Sequence, residues 1–353
     1  MSDFFTSHSS MNELRRPPTI KDVAAAADVS PSTVSHTFSG RRAISEPTRK
    51  RVMEAAESLG YHPNPHARSM RTGKTEMIGL ILRPHVSRSG SIETHETFNR
   101  LAGAVAVACI REGMGLVHIP VSGNAPMATL PMDGCIVAYP HADDPVLDEL
   151  QRRGVPAVCA DPDPARPEIC PWVGVDYDTG IDRVLETIAV NPGDDIWLVV
   201  GAEDNAWKRS SESRVRTWAH AKDLRVRTHR TTGELQPSVV RQQLQELLKY
   251  HPSPRAIVYA RSDLTEPVVS AIGDAGLRVP RDIQLATLTD SAHTRIPLTS
   301  VTALDLNHEA LALAAVTHML RVLEEPATPP DPVLVSPQLK VRASTRDAPH
   351  LHH

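Results

Sequence analysis

Residues 19–70 read TIKDVAAAADVSPSTVSHTFSGRRAISEPTRKRVMEAAESLGYHPNPHARSM, and the punctuation of this stretch decides how the rest of the chain is read. Thr19 followed by Asp22 matches a capping box, with Val23, Ala24 and Ala27 as the inner face of a first helix. Ser30 is a favoured N-cap, and Pro31 stands at the first helical position, where its missing N–H costs nothing. Thr33, Val34 and Phe38 continue this second helix until Gly40 stops it. Ser45 caps a third helix with Pro47 in its first turn. Val52, Ala55, Ala56 and Leu59 form its apolar stripe ahead of Gly60. Two helices joined by a short turn, with a third across them, make a helix-turn-helix. Taken alone, the three helices also fit a small bundle with no nucleic-acid role.

The spacing goes further, because the stretch resembles the lactose/galactose repressor (LacI/GalR) family of bacterial transcriptional regulators. The matching residues are Thr19-Ile20-Lys21-Asp22-Val23-Ala24, Val29-Ser30, Thr33-Val34-Ser35, Arg49, Val52, Ala55, Leu59-Gly60-Tyr61, Pro63-Asn64, Ala67-Arg68-Ser69 and Thr72-Gly73. The resemblance implies that the second helix enters the major groove and reads bases with Pro31, Ser32 and His36. Thr19, Thr33, Ser35 and Thr48 are then the candidates for phosphate contacts, which position the head without reading sequence. Two departures matter. His36 stands where the family usually has arginine, and Pro31 has no side-chain donor. Arginine bonds guanine through two donors and histidine through one, so a shifted or softer sequence preference is expected. Asp28 replaces the usual glycine of the turn, and aspartate tolerates the left-handed conformation.

Residues 63–75 are expected to be a hinge. Asn64 is an N-cap followed by Pro65, but a seven-residue helix is marginal in water. It should form only when two copies pair on DNA. The resemblance places Asn64, Ala67, Arg68, Met70 and Arg71 at the minor groove. Met70 then serves as an apolar wedge that kinks a flexible base step, and the two arginines lie near phosphates. The alternative is that Met70 packs inside the larger domain.

Charge supports a split chain. The formal net charge is −4, yet residues 1–75 hold 11 Lys/Arg against 7 Asp/Glu, a balance of +4 that leaves −8 for residues 76–353. A basic head on an acidic body fits a head that touches phosphate. The excess is small, so one head should bind weakly and paired heads are expected. Cys109, Cys135, Cys159 and Cys170 show no metal-type spacing and read as buried, reduced thiols of a cytoplasmic, nucleoid-associated protein. The polar opening suggests no signal peptide, and no apolar run is long enough for a membrane span.

From Glu76 the pattern changes to strands alternating with helices. Strands are predicted at Met77–Leu82, Leu116–Pro120, Gly134–Ala138, Ala157–Ala160, Ile196–Val200, Ala256–Tyr259 and Gln284–Leu288. Helices are predicted at Glu96–Arg111, Pro145–Arg153, Thr179–Ala189, Ser211–Lys222, Pro237–Tyr250, Thr265–Gly276 and Asn307–Leu323. Such alternation predicts parallel, doubly wound sheets, and the length allows two of them. Asp133-Gly134, Arg153-Gly154-Val155-Pro156, Val175-Asp176, Val279-Pro280-Arg281-Asp282-Ile283, Pro297-Leu298-Thr299-Ser300-Val301 and Pro337 extend the resemblance. The fold class is therefore an N-terminal all-α helix-turn-helix head plus an α/β two-lobed, periplasmic-binding-protein-like effector domain. The domains expected are a disordered arm at 1–16, the head at 17–62, the hinge and linker at 63–75, the effector-binding and dimerisation domain at 76–344 and a tail at 345–353. Three crossings between lobes are expected, near Val175, Thr289 and Ser336. Residues 121–132 are too short and proline-punctuated for the crossover helix usual there.

In such a fold a small-molecule effector sits at the carboxyl ends of strands, between the lobes. Asp161, Arg216, Arg261, Asp263 and Asp290 are the candidate effector-binding residues. Arg216 occupies the place of the family's main effector-binding arginine. The asparagine–aspartate pair expected after a later strand reads Arg261-Ser262, with Asp263 one place late, and the next loop reads Thr289-Asp290. These changes make a neutral sugar doubtful. Arg216 with Arg261 would favour an anion, or Arg261 would pair with Asp290. No nucleotide, hydrolase or zinc-protease motif appears, so an enzyme is not expected and no cofactor or metal is called for. His85, Glu93, His95 and Glu96 share one loop that reads as a solvated connection. The expectation is a homodimeric repressor on a near-palindromic double-stranded DNA operator. The competing readings are a cytosolic small-molecule binding protein whose head no longer reads DNA, and an enzyme built on the same scaffold.

Overall fold

The computed structural model describes residues 16–40, 42–62, 73–83, 96–120, 130–231, 237–251, 253–296 and 299–345. The chain splits into two compact units, Met1–Thr75 and Glu76–His353. The hinge candidates Asn64, Ala67, Arg68, Met70 and Arg71 lie outside the described residues. So do His85, Glu93 and His95, and most of the stretch expected to lack a helix.

The first unit holds α1 (Ile20–Ala26), α2 (Pro31–Ser39) and α3 (Glu46–Leu59). Val23, Val34 and Val52 are fully buried and meet at its centre with Ala24, Ala27, Ala55 and Ala56. Burying a valine contributes roughly 1.5–3 kcal/mol, so this small cluster is the main stabilising feature of the unit. Leu59, expected in the stripe, is instead 40% exposed. Gly60 turns the chain in the left-handed conformation at φ 64°, and Tyr61 packs on Phe38 at 5.8 Å.

The second unit holds two six-stranded sheets. The first has the order β13-β5-β4-β3-β1-β2, all parallel: β1 (Met77–Leu82), β2 (Gly115–His118), β3 (Gly134–Ala138), β4 (Ala157–Ala160), β5 (Trp172–Val175) and β13 (Val333–Val335). The second has the order β14-β12-β9-β8-β6-β7: β6 (Asp195–Gly201), β7 (Arg225–Thr231), β8 (Ala256–Tyr259), β9 (Gln284–Thr287), β12 (Thr302–Asp305) and β14 (Gln338–Lys340). Only β14 runs antiparallel there. A small hairpin pairs β10 (Arg295–Ile296) with β11 (Thr299–Ser300). The helices are α4 (Glu96–Arg111), α5 (Pro145–Arg152), α6 (Tyr177–Leu185), α7 (Ala206–Ala221), α8 (Pro237–Tyr250), α9 (Thr265–Asp274) and α10 (His308–Glu324).

Strands buried on both faces read as continuous apolar runs. Ile78, Leu80 and Ile81 in β1 and Ala256, Ile257 and Val258 in β8 are all fully buried. β5, β7, β12, β13 and β14 were not predicted; β7, β13 and β14 are edge strands that lack such runs. The chain passes between lobes after β5 and between β13 and β14, as expected near Val175 and Ser336. The middle passage is not at Thr289. It follows β12, because α10 leaves the second sheet and packs on α4 and on β3–β5 of the first. Cys109, Cys135 and Cys159 are buried and Cys170 half-buried, all four unbridged, with the Sγ atoms of Cys159 and Cys170 2.7 Å apart. Among the described residues no helix is long and apolar enough to cross a membrane.

Candidate functional site

The first site is the outer face of α2. Ser30 is extended, and its hydroxyl accepts from the Thr33 backbone N–H at 3.1 Å, satisfying one donor of the first turn. Ser30 also shares hydroxyl hydrogen bonds with Ser32 at 2.6 Å and Thr33 at 2.9 Å. Val34 and Thr37 point inward, which leaves Pro31 and Ser32 exposed and His36 half-exposed on the opposite side. The turn before α2 carries Asp28 at φ 51°, so the non-glycine turn is accommodated. Gly40 closes the helix at φ 66°.

The flanking candidates are tied down. The Thr19 hydroxyl and backbone N–H both donate to Asp22, at 2.6 and 2.7 Å, and hold that carboxyl below its ordinary range. Ser45 stands at the N-cap of α3 without capping a backbone N–H there. Its hydroxyl pairs with the Thr48 hydroxyl at 2.8 Å. Thr33 and Ser35 are half-buried on α2. Exposed hydroxyls and a helix N-terminus are what a phosphate-facing surface needs.

The second site is a cavity of about 140 Å³ in the larger unit. It lies where strands end and helices begin on both lobes. From the first lobe come Arg83 after β1, Phe98 in α4 and Tyr139 after β3. From the second come Tyr177 and Trp207 in the first turns of α6 and α7, and Arg261, Asp263 and Thr289 after β8 and β9. Parallel strands direct their carboxyl ends to one edge, so each lobe delivers these residues together. The mouth is bridged across the lobes. The Ala142 N–H donates to the Asp204 carbonyl at 2.7 Å, and Ala292 donates to the Glu96 carboxylate at 2.7 Å. Arg209 reaches the Pro164 carbonyl at 2.6 Å.

Aromatic rings dominate the walls. Phe98 meets Tyr139 edge-on at 5.5 Å, and Tyr177 meets Trp207 at 4.8 Å. The chain has only 4 Trp, 5 Tyr and 4 Phe, and four of these rings converge here, a concentration that composition does not account for. Tyr139 sits at φ 57° and Asp161 at φ 71°, each directly after a strand. Such conformations cost of order 1–3 kcal/mol for bulky residues and cluster at binding sites.

The five effector candidates separate. Arg261 and Asp263 line the cavity, but they bind each other through two hydrogen bonds of 3.1 and 2.5 Å. Arg261 is therefore not paired with Asp290. Asp290 is buried behind the wall, held by Arg295 and Arg342 at 2.8 Å each and by the Thr294 hydroxyl. Burial pushes its carboxyl up, but these donors outweigh burial and leave it below the ordinary range. Asp161 is also buried rather than lining, and the Tyr177 hydroxyl donates to it. Burial raises its carboxyl to about 7. Arg216 is exposed on α7 and does not line the cavity. Its neighbour Val215 is the buried residue of that turn. The expected pair of anion-binding arginines is thus absent from this cavity.

Sequence reading missed the aromatic lining, and two helix starts explain much of that. α7 begins at Ala206, not Ser211, because the Asn205 side chain accepts from the Lys208 backbone N–H at 2.9 Å. α6 begins at Tyr177 because Asp176 caps Thr179 at 3.2 Å. An N-cap search at Asn205 and Asp176 would have placed Trp207 and Tyr177 in first turns facing the cleft. No group of three or more His, Cys, Asp or Glu is placed to hold a metal among the described residues.

Comparison with known proteins gives two family matches. Residues 19–64 match bacterial regulatory proteins of the lacI family, and residues 194–345 match the periplasmic binding protein-like domain. The HTH-type transcriptional regulator MalR of Staphylococcus xylosus is 26% identical over 330 residues, covering 87% of this chain and 91% of MalR. The HTH-type transcriptional repressor PurR of Escherichia coli is 26% identical over 349 residues, covering 94% of this chain and 98% of PurR. Among solved structures, a lac repressor dimer bound to operator and the anti-inducer ONPF superposes with a TM-score of 0.76 at 20% identity, covering 94% and 99% of the two chains. A complex of the transcriptional regulator CelR with cellobiose gives 0.64 at 22%, covering 93% and 99%. At these identities the structures speak for the fold. With the head matched at one end, the two-lobed body at the other and full-length regulators similar throughout, the chain belongs to the lacI family of bacterial regulatory proteins.

Proposed function

We propose that this chain is a cytoplasmic, sequence-specific DNA-binding transcriptional repressor. It acts as a homodimer on a near-palindromic double-stranded operator and responds to a small molecule held between its lobes. The observation that carries the reading is the α2 surface: a helix capped by Ser30, with Pro31, Ser32 and His36 turned outward and Val34 and Thr37 turned in. Pro31, Ser32 and His36 face base edges, and Thr19, Thr33, Ser35 and Thr48 face phosphates. Asn64, Ala67, Arg68, Met70 and Arg71 form the minor-groove hinge.

Pairing is supported by apolar exposure on α4. Val107 is 50% and Ile110 73% exposed, three positions apart on one helical face, and α4 is followed directly by the edge strand β2. A second copy covering this face would bury them. Ligand in the cavity would tie the lobes together where Ala142–Asp204 and Glu96–Ala292 already bridge them. A difference in dimer geometry between open and closed lobes then biases operator binding, a coupling typically worth about 1–3 kcal/mol. No catalytic step is proposed.

His36→Ala tests the base-reading role. One lost hydrogen bond is worth roughly 1 kcal/mol, about fivefold in affinity. That loss should appear on operator DNA and not on a scrambled duplex of equal length. Equal losses on both duplexes would remove His36 from sequence reading.

A further inference from the structure

We propose that the inter-lobe cavity is built for a flat, uncharged aromatic or heteroaromatic compound that accepts one hydrogen bond from the Tyr139 hydroxyl. The proposal names the ligand class for the effector site inferred above and rests on that reading. Four observations carry it.

The walls are two aromatic pairs, one from each lobe: Phe98 with Tyr139 and Tyr177 with Trp207. Closing the lobes sets ring faces around whatever the cavity holds, and a flat ring returns offset-stacked or edge contacts that a saturated chain does not. The volume of about 140 Å³ suits one ring or a small fused pair. An apolar cavity of comparable size in another protein takes up benzene.

The polar groups are nearly all engaged within the protein. Arg83 is bound to the buried Asp144 at 2.8 Å, and Arg261 to Asp263. Asp161 is taken by the Tyr177 hydroxyl, and Asp290 by Arg295 and Arg342. An anion held by the guanidinium groups would have to separate Arg83 or Arg261 from its carboxylate. A polyhydroxylated sugar would meet Asp263 already bound by Arg261 and Glu96 already bound by the Ala292 N–H.

Tyr139 stands apart from these paired groups. It is 8% exposed, lines the cavity, and its buried hydroxyl has no hydrogen-bond partner among the described residues. A buried polar atom left unpaired is destabilising, so a partner is expected from the ligand. A hydroxyl against a flat ligand's carbonyl or ring nitrogen supplies it. The left-handed backbone at Tyr139 aims the ring from the end of β3 and is further strain held at this one position.

The test is calorimetric titration of the full chain with three ring probes, benzamide, nicotinamide and indole, and with glucose and maltose, all at millimolar concentration. At least one ring probe should bind and both sugars should fail. Trp207→Leu keeps apolar bulk but removes the flat face, and should weaken the ring probe about tenfold while leaving the thermal midpoint unchanged. Tyr139→Phe keeps the ring and removes the hydroxyl. It should weaken benzamide and nicotinamide severalfold and leave indole, which offers no acceptor, unaffected. Sugar binding without ring binding would overturn the proposal, as would silence from all three ring probes or full affinity in both variants. An operator titration on the same preparation keeps the two readings apart. Ring binding without operator recognition would sink the repressor reading alone, and operator recognition without ring binding would sink only the ligand class.

Discussion

The head and the inter-lobe cavity are both sites, yet they are specified in opposite ways. In the head, every proposed contact residue lies at a fixed offset within one short stretch, and local rules set its orientation. Ser30 starts α2, Val34 and Thr37 anchor its inner side, and Pro31, Ser32 and His36 must then face out. The cavity is assembled from the ends of elements separated by as much as two hundred positions. Arg83 and Thr289 share its wall only because two sheets place their carboxyl edges opposite each other. A local pattern can be read from sequence, whereas a wall built from eight or so elements needs the fold first.

Breaking the head should have the largest effect and the narrowest. Val34 is fully buried at the centre of the small core, so Val34→Asp places an unpaired carboxylate there, at a cost of several kcal/mol. Operator binding should vanish while the thermal unfolding of the two-lobed unit stays put. A common loss of both transitions would show that the units do not fold independently.

Asp290 sharpens the contrast from the other side. Removing its carboxylate leaves Arg295 and Arg342 uncompensated, and breaking a buried pair costs about 3–5 kcal/mol, less here because Arg295 is half exposed. Asp290→Ala should lower the urea midpoint of the larger unit by an amount corresponding to roughly 2–3 kcal/mol. Unchanged stability together with lost ligand response would return Asp290 to the binding residues.

Asp161 predicts a pH signature. Its folded carboxyl titrates at about 7, so between the ordinary carboxylate range and 7 the folded state keeps a proton that the unfolded chain has lost. Stability from this group therefore falls as pH rises through that window and is level above it. His308 works in the opposite sense. Burial, followed by Arg100, lowers its ring to about 4, so folding loses stability as pH falls from 6.5 toward 4. In Asp161→Asn this falling contribution is gone, and chemical-denaturation midpoints at pH 4.5 and 6.5 should rise with pH more steeply than in the parent. Parallel profiles would mean that Asp161 is already ionised in the folded protein.

The smallest expected effect is at Arg216. It is exposed on α7, and substitutions at such positions fall within about 0.5 kcal/mol. Arg216→Ala should leave both stability and the affinity for any cavity ligand unchanged. A lost ligand response would place its guanidinium at the cleft in the working state.

These cases mark what the sequence made legible. Apolar runs such as Ile78–Leu82 and Ala256–Tyr259 named the central strands to the residue, because strands buried on both faces tolerate little else. β7, reading RVRTHRT, escaped because an edge strand carries polar residues and no run. The middle lobe crossing was placed at Thr289 because the hairpin and β12 that follow were not recognised. Arg216 was assigned by position in a family pattern, and position alone does not say which way a helical side chain turns. Tyr139 carried no signal at all, since its role depends on φ 57° after a strand and on Phe98 arriving from another element.

The most direct test of the repressor account is a titration of the full chain on DNA from upstream of its own gene, beside a scrambled duplex, at two salt concentrations. The account predicts tight binding by two chains to the first duplex only, weakening steeply with salt as phosphate contacts release counterions. Equal, weak binding to both duplexes, with no motif recovered from a genome-wide selection of bound fragments, would contradict it and leave a two-lobed binding protein with an idle head.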